Sequence, residues 1–241
     1  MALDDHRVVV TAAGRDFGRT LAIRLADLGA EVFLSARTLE AAQRTRDEID
    51  QRGGRAHAFA CDLTDPPSIA AFARDVEERA GRVDVLVNNG ARYLDGADLL
   101  SASDTDVVDT IASGATGTVL ATKAFLPLLL RSDKPDILTM ISSAGTAGHQ
   151  RSTAHDAFYS AKNAQGGFAE ILSKRLRSQG VRVISLYPPD FVNTDPLSPE
   201  WLTTPRSAKD PLTSQSLVDC VVFAISRPRD CFIKAIHFEE P

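Results

Sequence analysis

Ser142, Ser143, Phe158, Tyr159 and Lys162 fall within one short stretch of the chain, and their side chains suit a reactive carbonyl. A hydroxyl can orient the carbonyl oxygen, a phenol can exchange a proton with it, and a nearby ammonium makes the phenolate easier to form. The serine pair closes the apolar run Asp136 to Ser142, so it sits at the end of a strand, whereas Lys162 falls in a helical pattern from about His155 to Ser178. Counting back four residues from Lys162 gives Phe158, and three gives Tyr159. On a helix these two side chains point about 100° apart. Tyr159 reaches the same site if the first turn is loose or tightened to a 3₁₀ turn.

A second chemical group lies near the N-terminus. Thr11-Ala12-Ala13-Gly14-Arg15-Asp16-Phe17-Gly18 follows the apolar Val8-Val9-Val10 and precedes Leu21, Ala22, Leu25 and Leu28 at helical spacing. A glycine turn between strand and helix is where a dinucleotide pyrophosphate meets a helix N-terminus. Two glycines alone are weak evidence for that role.

These groups must be positioned by the remaining elements. Strands are expected at Arg7 to Thr11, Glu31 to Ala36, His57 to Ala60, Val83 to Val87, Asp136 to Ser142, Val181 to Tyr187 and Cys231 to Phe238. Helical patterns separate them, including a long one from about Asp104 to Arg131 interrupted by Gly114 and Gly117. This alternation predicts an α/β fold of the Rossmann type, a doubly wound parallel sheet in a single domain over residues 1–241. One segment, Pro188 to Pro211, breaks the rhythm with six prolines and reads as a substrate loop or lid beyond the end of a strand.

The net charge of -5 argues against nucleic acid or an anionic membrane as partner, leaving a small-molecule substrate as the expectation. The N-terminus is polar and no apolar run approaches a membrane span, so a cytoplasmic protein is expected. Cys61, Cys220 and Cys231 lack metal-ligand spacing and read as buried, reduced thiols, with no metal site.

In order and spacing, the glycine turn, Asp62-Leu63, Asn88-Asn89-Gly90, Ser142-Ser143 and the aromatic-to-Lys162 element resemble the short-chain dehydrogenase/reductase family over nearly the whole chain. The resemblance implies an oxidoreductase that interconverts a carbonyl and a secondary alcohol, ketoreductase-like, with Ser143, Tyr159 and Lys162 as the catalytic set. It implies a cofactor site in which Gly14, Arg15 and Gly18 form the phosphate turn. Asp62 and Leu63 would contact adenine, Asn89 the adenosine side, Lys162 the nicotinamide ribose, and Thr194 the carboxamide. The second strand ends in Leu34-Ser35-Ala36-Arg37 without an acidic residue, so Arg37 and Arg15 offer two cations to a 2′-phosphate and NADP(H) is the expected cofactor.

The chain also departs from the family pattern. Ala12 and Asp16 stand where glycines are usual, Gly114 where an asparagine is usual, and Phe158 where the tyrosine is usual. Asp16 reads as the N-cap of the helix beginning at Phe17. His149 and His155 are either replacement acids or exposed loop histidines. Tyr93, Tyr187 and Trp201 either line the substrate pocket or pack in the core and lid. These departures motivate a second expectation, a catalytically silent binding or regulatory subunit paired with an active homologue, and a third, non-redox chemistry in the same pocket. The helices from Asp104 and His155 carry apolar faces that either pack on the sheet or, as the resemblance implies, form a homo-dimer or tetramer contact.

Overall fold

The computed structural model describes residues 3–96, 98–148 and 153–239. Its frame comes from apolar strands whose alternate residues feed two different cores. Val8, Val10, Val32, Leu34, Val85, Val87, Leu138, Ile184 and Leu186 face one layer, and Val9, Phe33, Leu86, Ile137 and Val183 face the other. Period-two side chains that are apolar on both faces require helices above and below, which is the condition for a parallel sheet.

The strands are β1 (Arg7–Val10), β2 (Glu31–Ala36), β3 (Arg55–Ala60), β4 (Val85–Asn88), β5 (Asp136–Met140), β6 (Arg182–Tyr187) and β7 (Ala235–His237). All pair in parallel, in the order β3-β2-β1-β4-β5-β6-β7. The helices are α1 (Asp16–Asp27), α2 (Leu39–Asp50), α3 (Pro66–Ala80), α4 (Asp104–Ile111), α5 (Gly117–Leu129), α6 (Asp156–Leu176), α7 (Glu200–Thr203) and α8 (Ser214–Ile225). Helices α1 and α8 cover the first core, whereas α3, α5 and α6 cover the second. The order reverses between β1 and β4, which opens the crevice at their carboxyl ends where ligands bind in open α/β sheets.

The expected doubly wound sheet is therefore present, with three local differences. The long pattern from Asp104 to Arg131 is two helices joined by a π-turn at Ala112–Thr116, because the chain widens by one residue around Gly114. The last strand is confined to Ala235–His237, since Cys231 to Lys234 lie outside the ladder. The proline-rich segment includes a short helix, α7, rather than loop alone. Only Cys61 is a buried thiol; Cys220 and Cys231 are half-buried, and all three are free.

The amino ends of β5 and β6 are held by a buried charge cluster. Arg182, 1% exposed, donates to both carboxylate oxygens of Asp136 at 2.8 and 2.6 Å and to the carbonyls of Ile225, Arg227, Pro228 and Cys231. Arg229 adds a bond to Asp136 at 2.6 Å. Among the described residues no helix is long and apolar enough to cross a membrane.

Candidate active site

Strand β5 ends at Met140, and two residues later the backbone of Ser142 turns to φ +100, a left-handed value that a side chain tolerates poorly. Strain of roughly 1–3 kcal/mol at such a residue persists only where the surroundings over-determine it. Here the Ser142 hydroxyl accepts from the Ala144 N–H at 3.2 Å, and the Ser143 N–H donates to Pro188 O at 2.8 Å. The turn Ser143–Gly145 then presses on α6. A Cβ at Gly145 would stand 2.3 Å from Ile141 Cγ2 and 2.8 Å from Lys162 O, so the approach requires glycine. Asn163 fastens the same contact by donating to Ala144 O at 3.0 Å.

This packing brings Ser143 and Lys162 to one cavity of about 200 Å³, walled also by Asn89, Phe17, Tyr93, Phe158 and the Pro188–Phe191 segment. The Lys162 ammonium is buried, donates to Met140 O at 2.8 Å and lies 5.3 Å from the centre of the Phe158 ring. Burial lowers its pKa from 10.5 to about 7.

Phe158, not Tyr159, is the α6 aromatic on the cavity wall. The Phe158 ring meets Tyr93 edge-on at 5.1 Å. Tyr159 instead packs beside Phe158, Ala144 and Ala154, as the helical offset between the two positions requires. Tyr159, expected as the proton donor, is not among the described residues that line the cavity. Helix α6 starts at Asp156 as a regular α-helix, so no loose first turn rotates the phenol inward.

His155 is neither exposed nor available as a replacement acid. It is fully buried as the N-cap of α6, accepting the Ala157 N–H at Nδ1 (3.1 Å), with Nε2 3.3 Å from Leu99 O. His149 lies outside the described residues.

At the glycine turn, Gly18 is essential to close packing, because a Cβ there would stand 2.4 Å from Ala12 O and 2.5 Å from Asn89 Nδ2. Asn89 donates to Thr11 O and Ala12 O at 3.2 and 3.3 Å, tying the turn to the end of β4. Gly14 packs against Ala36 and Ala41, where β2 leads into α2. Ala12 and Asp16 hold φ +53 and +49, so the backbone keeps a shape that suits glycine although the side chains are different.

Asp16 does not cap α1. It is the first residue of the helix after an N-cap Arg15 that has no side-chain cap bond, and its exposed carboxylate turns out to Arg15 at 3.4 Å. Arg37 is exposed near Asp62. Burial raises the Asp62 carboxyl, but bonds from the Thr64 N–H and hydroxyl, with the Arg37 charge, bring it below its ordinary value. Leu63 closes over Gly90 and Gly117. These contacts leave the turn, a helix N-terminus and two exposed arginines on one edge, which fits a dinucleotide.

Two expected positions stand elsewhere. Thr194 is bonded to Thr204 at 3.2 Å within the proline-rich segment and is not among the described cavity-wall residues. Gly114 O accepts from Gln165 Nε2 at 3.0 Å, and a Cβ at Gly114 would stand 2.9 Å from Ala161 Cβ, so a larger residue would press on α6. Of the three pocket aromatics considered, Tyr93 lines the cavity, Tyr187 stacks on His237 at 4.2 Å, and Trp201 packs beneath Arg24. Phe17 was missed as a wall residue, whereas Asp190 and Phe191 fall in the 188–211 segment expected as the substrate loop without having been singled out for the wall. Their signal was position alone, Phe17 within the glycine turn and Asp190 and Phe191 just after β6.

Residues 6–202 match the short chain dehydrogenase family. The chain is also 30% identical over 224 residues to a fatty acyl-CoA reductase of Acinetobacter baylyi, covering 92% of this chain and 73% of that one. Estradiol 17-beta-dehydrogenase 11 of Mus musculus is 32% identical over 191 residues, 78% of this chain and 62% of its own length. The crystal structure of a metagenomic short-chain oxidoreductase in complex with NADP superposes with a TM-score of 0.81 at 28% identity, covering 98% of this chain and 97% of that one. The chain belongs to the short-chain dehydrogenase family and is an oxidoreductase with a nicotinamide-cofactor fold.

Proposed function

We propose that the protein uses NADP(H) to interconvert a carbonyl and a secondary alcohol on a small molecule. The observation that carries this reading is the meeting of Ser143 and Lys162 on one cavity that reaches Asn89 and Phe17 at the glycine turn. Gly14, Arg15, Gly18, Arg37, Asp62, Leu63 and Asn89 would hold the adenosine and phosphates, and Lys162 would face the nicotinamide ribose. When bound, the cofactor supplies or accepts the hydride. The Ser143 hydroxyl donates to the carbonyl oxygen and fixes its orientation. The buried Lys162 ammonium favours negative charge developing on that oxygen, an effect that is larger in a site shielded from water. The NADP bound to the metagenomic relative supports the choice of cofactor.

The reading is tested by cofactor binding. Arg15→Ala and Arg37→Ala should each weaken NADPH binding about tenfold, roughly 1.4 kcal/mol, while leaving NADH almost unchanged. Equal losses for both cofactors would contradict the 2′-phosphate role. Asp16→Gly should tighten NADPH binding by about fivefold, because it removes a carboxylate worth roughly 1 kcal/mol of repulsion beside a pyrophosphate in water. Titration calorimetry reads both effects, and weaker binding by the glycine variant would count against a pyrophosphate at this turn.

A second reading is favoured by Phe158 on the cavity wall: a silent family member that binds the cofactor without turning over substrate. It predicts tight NADPH binding with no oxidation of NADPH across a broad panel of aldehydes and ketones. Exposed Val108 and Ile111 on α4 and Ile171 on α6 support a homo-oligomer through these helices.

A further inference from the structure

We propose that Lys162 itself gives the carbonyl oxygen its proton. This rests on the reductase reading above. Phe158 supplies no proton, Tyr159 packs beside Phe158 and is not among the described wall residues, and the His155 ring is committed to the cap of α6. Of the described groups on the wall, Tyr93 has its hydroxyl bonded outward to Asp95 at 3.3 Å and near Thr153 at 3.4 Å. Asp190 is exposed on the segment after β6. Lys162 combines burial, a place on the wall, and an ammonium held by a neutral carbonyl and an aromatic face. One N–H is engaged by Met140 O, and the ammonium carries three.

The reaction balances with two donors. A hydride from the reduced nicotinamide forms the new C–H bond, and the C=O π pair moves onto oxygen. That oxygen takes a proton from Lys162 Nζ, which is left as a neutral amine and recovers a proton from solvent. The nicotinamide is oxidised and the carbonyl carbon reduced. A donor whose pKa is near the working pH suits both halves of this cycle, and burial brings the lysine to about 7.

The titration has a signature in stability that does not depend on turnover. In the folded chain Lys162 loses its proton near pH 7, and in the unfolded chain at its ordinary 10.5, so the unfolded state binds more protons between those values. Stability conferred at this site therefore rises with pH across that window. The groups against the ammonium are the Met140 carbonyl and the Phe158 ring, neither of which titrates, and the titratable groups that share its cavity wall are Tyr93 and Asp190.

The test compares Lys162→Arg and Lys162→Gln with the wild-type protein. Arginine keeps the charge and does not release it near neutrality. Both variants should lose about 10²- to 10⁴-fold in kcat for NADPH-dependent carbonyl reduction, the range of general acid catalysis. Wild-type kcat/KM should fall above about pH 7, and the stability difference between wild type and Lys162→Gln, measured by urea unfolding, should rise from pH 7 to 10.5. NADPH binding by each variant, followed by fluorescence, separates a lost proton donor from a lost cofactor site. Recovery of kcat to within tenfold by Lys162→Arg would overturn the proposal and leave the reductase reading intact, as would a stability difference independent of pH. Absence of wild-type turnover on every carbonyl tried would overturn both.

Discussion

Ser143→Ala should lower kcat/KM for carbonyl reduction by about 10²- to 10³-fold while leaving NADPH affinity within about twofold of wild type. The expectation follows from the division of labour at the end of β5. The backbone N–H of Ser143 donates to Pro188 O and shapes the turn, and that bond survives in alanine. Ser143 lines the cavity, so on the proposed reading the substitution removes a donor to the substrate oxygen while the backbone bond that shapes the turn is kept. Such a donor acts mainly in the transition state, where charge on oxygen is greatest, so the loss should appear in kcat more than in KM. Initial rates with a ketone panel and fluorescence titration with NADPH measure the two quantities. Turnover unchanged in the variant would remove Ser143 from the reaction.

Arg182→Met should destabilise the fold by about 3–5 kcal/mol, the cost of leaving a buried charge without its partner. Asp136 is 1% exposed and would keep only the Arg229 bond, while the carbonyls of Ile225, Arg227, Pro228 and Cys231 would lose their donor. For a chain of this size, each kcal/mol shifts Tm by about 2–4 °C, so a fall of roughly 6–20 °C is expected by calorimetry. The cluster lies at the amino ends of β5 and β6, opposite the cavity. Sites this far apart with no shared partner act independently, so the variant should keep the wild-type Kd for NADPH well below its Tm. A fall in Tm of less than about 2 °C would show that Asp136 is adequately satisfied by Arg229 alone.

The fold was legible because its signal is local and repeated. Val8-Val9-Val10 and Val85-Leu86-Val87 alternate between two apolar layers, so a strand buried on both faces can be read from its own residues. The Arg182–Asp136 cluster was not legible, since its partners come from different strands and the backbone after α8. At the site, counting along α6 identified the question correctly: Phe158 and Tyr159 cannot both face Lys162. The regular start of α6 determines which does. The reading of Asp16 as a helix cap failed because capping depends on where the helix begins, and α1 begins one residue earlier, with the carboxylate drawn outward to Arg15. His155 was misread for the opposite reason. A polar residue next to a loop is usually solvated, but this one is folded inward so that its Nδ1 caps α6, a contact that depends on its φ and ψ as well as on its side-chain acceptor.

Isotope transfer tests the central claim most directly. NADPH deuterated at the nicotinamide C4 position is incubated with the enzyme and a ketone, and the alcohol is analysed by mass spectrometry and NMR. One deuterium on the carbinol carbon, from a single face of the cofactor and lost in parallel in Ser143→Ala and Lys162→Gln, is the predicted result. NADPH that binds at the glycine turn but passes no deuterium to any carbonyl would contradict the account and leave a binding protein built on an oxidoreductase fold.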